Sequence, residues 1–70
     1  MKYVYLLQSL SDPDQRYVGI TGDFQSRLSQ HNAGKSPHTK KFKPWQPVAV
    51  VRFQDNAKAE AFEKYLKSGS

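Results

Sequence analysis

Tyr3-Val4-Tyr5-Leu6-Leu7, followed by Arg16-Tyr17-Val18-Gly19-Ile20, is the stretch on which the fold turns. The first segment is aromatic, β-branched and almost continuously apolar, the pattern of a strand covered on both faces. The second reads as another short strand. Between them, residues 9–15 read as a turn centred on Asp12-Pro13-Asp14. Proline presets φ there, and the aspartates bond to nearby backbone groups. The two segments therefore predict an antiparallel hairpin with a loop longer than the minimal type. Gly19, inside a strand, predicts a bulge or a close backbone approach.

Working outward, Asp23 is placed to cap a helix over residues 24–33, with Gly34 as its left-handed stop. Phe24 and Leu28 lie four apart on one face of that helix, flanked by Arg27 and His31. Residues 35–47, rich in Lys, Pro and Ser, predict a loop. Residues 48–53, Val-Ala-Val-Val-Arg-Phe, predict a third strand. Asp55 or Asn56 then starts a helix whose Ala59, Phe62 and Leu66 form a core-facing stripe, with Glu63 at its edge. The order is ββαβα. The expected class is α+β, a small three-stranded antiparallel sheet with helices packed against it, forming a single domain over residues 1–70.

Composition narrows the function. A chain of 70 residues has a marginal core, and the absence of cysteine removes disulfides and thiolate zinc sites from consideration. With 37% hydrophobic and 13% aromatic residues, the chain is too apolar to be disordered. Its apolar runs are too short to cross a bilayer and its start is unlike a signal peptide. A soluble, cytoplasmic protein with no membrane partner is expected. The net charge is +5, and residues 24–54 hold no acid while carrying Arg27, Lys35, Lys40, Lys41, Lys43 and Arg52. Such a field suits a polyanion through counterion release at phosphates, although surface lysines also serve solubility alone.

The order of residues is more specific than any of these features. Tyr3-Val4-Tyr5, then Tyr17-Val18-Gly19, then Arg27-Leu28 with His31-Asn32, then Glu63 in a late helix, closely resembles the GIY-YIG nuclease family. Tyr stands for Gly at position 3 and Val for Ile at position 18, but the functional tyrosine of each motif is kept. The resemblance covers essentially the whole chain. It is strongest to small single-domain members, excinuclease-subunit-like, which also carry a basic Pro-Trp loop such as Lys43-Pro44-Trp45.

Phosphodiester hydrolysis needs an activated water, charge neutralisation at the phosphoryl oxygens and stabilisation of the leaving oxygen. Tyr5 is the candidate to receive the water's proton, with His31 orienting or deprotonating its phenol. Arg27 offers a planar fork to two phosphoryl oxygens. Glu63 is a hard oxygen ligand suited to Mg2+ or Mn2+. The resemblance implies similar roles, with Tyr17 orienting the water or contacting the phosphate. Each residue also has a plainer reading. The tyrosines suit any strand, Arg27 and His31 suit a solvated helix edge, and Glu63 suits an i,i+4 pair with Lys67. His38 reads as a surface residue. Trp45 either packs on the core or stacks on a base, and a core this small favours packing.

Lys35, Lys40, Lys41 and Lys43 are the expected phosphate contacts, which position a duplex without reading its sequence. No Gly-rich phosphate loop or zinc spacing occurs. A nuclease domain working without a second DNA-binding domain is expected, and with it structure-selective or weakly selective cutting of DNA. Its setting would be DNA repair or recombination, with the chain acting as a monomer or transient dimer and a targeting protein as partner. The alternatives are a catalytically weak nucleic-acid-binding module and a protein-interaction adaptor on the same fold.

Overall fold

The hairpin forms as its sequence predicts. The computed structural model describes residues 1–68 and places strand β1 at Lys2–Ser9 and strand β2 at Arg16–Thr21. Helix α1 follows at Phe24–Asn32, a single 3-10 turn at Lys40–Phe42, strand β3 at Trp45–Phe53 and helix α2 at Asn56–Ser68. The strands order β2-β1-β3, antiparallel throughout, so the apolar β1 is central. This is the expected α+β class.

The turn of residues 9–15 closes through Ser9 N–H to Gln15 O (3.0 Å) and Gln15 N–H to Asp12 O (2.9 Å). Asp23 caps α1 by accepting from Ser26 N–H at 3.1 Å, and Gly34 ends it at φ +78°. Asp55 caps α2 by accepting from Ala57 N–H (2.9 Å) and Lys58 N–H (3.3 Å). These bonds satisfy amide donors that a helix start otherwise leaves unpaired.

One boundary differs from the sequence reading. Residues 45–47 are strand rather than loop, pairing with Ser9, Gln8 and Leu7, and the register shifts between Leu6 and Leu7. Proline in a strand argues for an edge position, and β3 is an edge strand, where a residue without an N–H is tolerated. The extra pairing is anchored by Trp45.

Side chains alternate across the sheet. Tyr5 and Leu7 point to one face, joined by Tyr17 and Gly19 from the opposite positions of β2. Phe24 and Leu28 of α1, with Trp45 and Phe42, pack against this face. Val4 is buried on the other face. Helix α2 lies against all three strands, with Ala59 fully buried and the Phe62 ring 5.5 Å from that of Phe53. Trp45 is a core residue at 4% exposure, which settles its two readings in favour of packing.

Candidate active site

The site begins at the middle of the central strand. Tyr5 faces Gly19 across the β1–β2 ladder, and its ring lies in the space a side chain at Gly19 would fill. A Cβ there would fall on the Tyr5 hydroxyl and come within 2.9 Å of the Tyr17 ring. The glycine expected to mark a close approach is therefore the seat of the phenol. The Tyr17 ring stands 6.2 Å from that of Tyr5 and 4.9 Å from the His31 ring. Phe24 closes the cluster, 5.4 Å from Tyr5.

Helix α1 delivers Arg27 and His31 one turn apart on the same side. His31 is fully buried rather than a solvated helix edge. Its Nε2 lies 3.0 Å from the Tyr5 hydroxyl, and its Nδ1 lies 2.7 Å from the Thr39 hydroxyl. Arg27 donates from Nη1 to Gln30 Oε1 at 2.8 Å. Its guanidinium also faces the Tyr5 and Tyr17 phenols, which hold its pKa above the ordinary value.

Burial is the largest influence on the two central groups. It raises the Tyr5 pKa above 10.0, against the opposing pull of Arg27 and with added repulsion from Tyr17 and Glu63. Tyr5 is consequently a neutral phenol at physiological pH. Burial also lowers the His31 pKa below 6.5, and the positive charge of Arg27 lowers it further. The imidazole is neutral at physiological pH, with one ring nitrogen free to accept.

Glu63 comes from α2. Its carboxylate is within electrostatic reach of the Tyr5 phenol, as the least of the influences on that group. The i,i+4 pair with Lys67 also forms, at 2.8 Å, so the plainer reading of Glu63 is present as well. The Glu63 side chain is 16% exposed. Among the described residues no cluster of three or more His, Cys, Asp or Glu side chains is placed to hold a metal. A lone carboxylate fits a hard divalent ion that keeps most of its waters and shares the rest with substrate oxygens, as Mg2+ does.

The basic residues sit beside this cluster. Lys35, Lys40, Lys41 and Lys43 are exposed on the segment linking α1 to β3, and His38 is exposed there too. Lys41 lies over the Phe42 ring at 5.7 Å. Three contacts help to anchor the segment. Thr39 reaches His31; the Trp45 indole N–H donates to Thr39 O at 2.8 Å; Asn32 clasps the Trp45 backbone, accepting from N–H at 2.6 Å and donating to O at 3.2 Å. Arg52 stands apart from this segment on β3, its Nε against Met1 Sδ.

Of two polar residues with work at the site, Thr39 had no role in the sequence reading, and Asn32 entered it only beside His31 in the motif, without a function of its own. Asn32 adjoins His31 at the end of α1, where its side chain can turn to a backbone outside the helix. Thr39 is a buried hydroxyl (1% exposed), as Ser36 is, within a largely exposed, lysine-rich segment. The sequence carries no periodic signal for it.

Comparison with known proteins agrees with this architecture. The GIY-YIG catalytic domain model matches residues 1–70. The chain is 39% identical over 71 aligned positions to the structure-specific endonuclease subunit SLX1 of Debaryomyces hansenii, covering 91% of this chain and 20% of that protein. It is 43% identical over 67 positions to the subunit of the same name from Scheffersomyces stipitis, covering 86% and 20%. To that of Talaromyces stipitatus it is 38% identical over 65 positions, covering 84% and 17%. The chain thus spans about a fifth of the length of these curated relatives. On the match over its whole length, and with the motif tyrosines brought together on one sheet face, the chain belongs to the GIY-YIG family of catalytic domains.

Proposed function

We propose that this chain is the catalytic domain of a metal-dependent endonuclease that hydrolyses phosphodiester bonds in DNA. It would select its substrate by shape rather than by base sequence, in the setting of repair or recombination. The observation that carries this reading is the hydrogen-bonded pair Tyr5–His31, seated over Gly19 and faced by the Arg27 guanidinium. Curated relatives named structure-specific endonuclease subunits support the same reading. The word subunit in those names favours a protein partner that supplies targeting.

The chemistry follows from the groups present. Tyr5 is a neutral phenol whose proton has an acceptor in His31 Nε2. A phenol held this way presents its remaining lone pair to the attacking water molecule. As the water oxygen bonds to phosphorus and the bond to the leaving oxygen breaks, the water's proton passes to Tyr5. The phenol's own proton then moves to His31. Burial and Arg27 make His31 a weak base, so this second transfer occurs only as the first proceeds. Arg27 offers two parallel donors to the phosphoryl oxygens, whose charge grows in the transition state. Tyr17, beside both rings, contacts the phosphate or orients the water. The leaving oxygen takes a proton from solvent.

Glu63 is the residue that would hold the divalent ion, Mg2+ or Mn2+, displacing Lys67 from its carboxylate. Such an ion, when bound, polarises the phosphate and steadies the departing oxygen. Lys35, Lys40, Lys41 and Lys43 would track the backbone beside the site, on a segment whose anchor, Thr39, touches His31.

Labelled duplex, nicked, flap and branched DNA, incubated with and without Mg2+ or Mn2+, provides the test. Wild type should cut the branched or flap substrates in the presence of the ion, and Glu63→Ala should not. Equal cutting by the Glu63→Ala variant would assign the activity to a contaminant. Tight binding without cutting by either would favour a nucleic-acid-binding module.

A further inference from the structure

Thr39 occupies the residue before the 3-10 turn Lys40–Phe42, the position where a hydroxyl ordinarily caps the turn. Its side chain makes no capping hydrogen bond. The hydroxyl instead meets His31 Nδ1 at 2.7 Å, in a setting where both residues are buried. The residue is held by its backbone. Its N–H donates to Ser36 O (3.2 Å), and its carbonyl accepts from Phe42 N–H (3.2 Å) and from the Trp45 indole (2.8 Å). The hydroxyl therefore reaches the imidazole from a fixed point, eight residues away along the chain.

Proton counting at the Tyr5 oxygen gives the direction of the chain of bonds. The oxygen faces Arg27, which can only donate, and His31 Nε2. The phenol's proton thus has Nε2 as its acceptor. A neutral imidazole that accepts at Nε2 carries its proton on Nδ1, and the partner of one ring nitrogen sets the state of the other. The buried Nδ1–H needs an acceptor, and Thr39 Oγ1 is the group in place.

We propose that Thr39 is a positioning residue for this site: by accepting from His31 Nδ1–H it holds the imidazole in the tautomer whose Nε2 takes the Tyr5 proton. The assignment deepens the nuclease reading and rests on it for its catalytic meaning. Its structural content, the tautomer, is measurable without any substrate. Because Thr39 lies within the lysine-rich segment, the same residue ties the phosphate-contacting surface to the geometry of the phenol.

Nitrogen-15 NMR of the histidine ring at mildly alkaline pH tests the proposal in wild type, Thr39→Ser and Thr39→Val. Wild type and Thr39→Ser should show His31 protonated on Nδ1. Thr39→Val, which keeps the shape and loses the acceptor, should show the proton on Nε2. On flap DNA, Thr39→Val should lower kcat about 10- to 100-fold with KM little changed, the loss typical of an outer group that orients a ligand or base. Thr39→Ser should recover most of it. A wild-type ring protonated on Nε2 would overturn the proposal even if Thr39→Val did not fold. So would a Thr39→Val variant with the wild-type tautomer, or one with a changed tautomer and full kcat. If wild type cut no nucleic acid, the nuclease reading would fail, and the ring spectra would still decide the role of Thr39 in fixing the imidazole.

Discussion

A phenol with an ordinary pKa of about 10 is a poor base at neutral pH, and burial of Tyr5 makes it poorer still in isolation. Its usefulness depends on neighbours. His31 gives its proton a destination, and Arg27 keeps a positive charge beside the oxygen. Replacing the hydroxyl alone separates chemistry from packing. Tyr5→Phe keeps the ring in the core and should cost about 1 kcal/mol of stability for the lost hydrogen bond. Cleavage should fall about 10²- to 10⁴-fold, the range for loss of a general base, measured as single-turnover rate on flap DNA; a rate within a few-fold of wild type would remove Tyr5 from the role. The imidazole has its own signature. Its pKa lies below 6.5 in the fold, so it keeps an accepting nitrogen as pH falls through 6.5 and loses it only at lower pH. The acid limb of the pH–rate profile should therefore have its midpoint below 6.5. An unfolded chain binds that proton more readily than the folded one. Stability should then decline with falling pH once pH drops below about 6.5, seen as a lowered Tm.

Among the elements, the β1–β2 hairpin does the positioning. Antiparallel register sets Gly19 opposite Tyr5, and only the missing side chain leaves room for the phenol to lie over β2. Gly19→Ala drives a methyl group into the Tyr5 hydroxyl, and Tyr5 is enclosed by Tyr17, Phe24 and His31. Overpacking of this kind costs about 1–3 kcal/mol, so denaturant titration should show a lower midpoint. Cleavage by the folded fraction should drop as well, because the phenol must shift away from His31. An unchanged midpoint would mean that the ring has another rotamer open to it. The hairpin and both helix starts were legible from local chemistry: strand alternation, Asp23 and Asp55 as caps, Gly34 as a stop. The beginning of β3 was not, since Trp45-Gln46-Pro47 reads locally as the end of a loop. Its pairing with β1 comes from burial of the Trp45 ring and from the tolerance of an edge strand for proline.

At the scale of the whole molecule, positive charge is densest on one segment, and all six acids lie outside residues 24–54. Lys35, Lys40, Lys41 and Lys43 lie together on the segment joined to the site through Thr39. Binding to duplex DNA should weaken steeply with salt, by a log–log slope of about 0.9 for each phosphate neutralised. Lys40→Ala and Lys41→Ala should each reduce that slope by about 1 without altering preference among DNA shapes. Titrations by fluorescence anisotropy at several salt concentrations check both statements, and a slope near zero would exclude the segment as a backbone contact. Among the exposed apolar residues, Val48, Val50 and Val51 on β3 and Tyr65 on α2 lie outside this basic segment.

Motif order in the chain, through its resemblance to the GIY-YIG family, named Tyr5, Tyr17, Arg27, His31 and Glu63, while strand and helix periodicity placed them on their elements. Which of them meet, and what completes their hydrogen bonds, depended on contacts between residues distant in sequence. Tyr5 and His31 are 26 residues apart, and the hydroxyl that meets the imidazole belongs to a loop threonine with no pattern to mark it. Local chemistry writes elements into a sequence. Burial brings them together, and only there does a buried nitrogen acquire a partner and a phenol a place to send its proton.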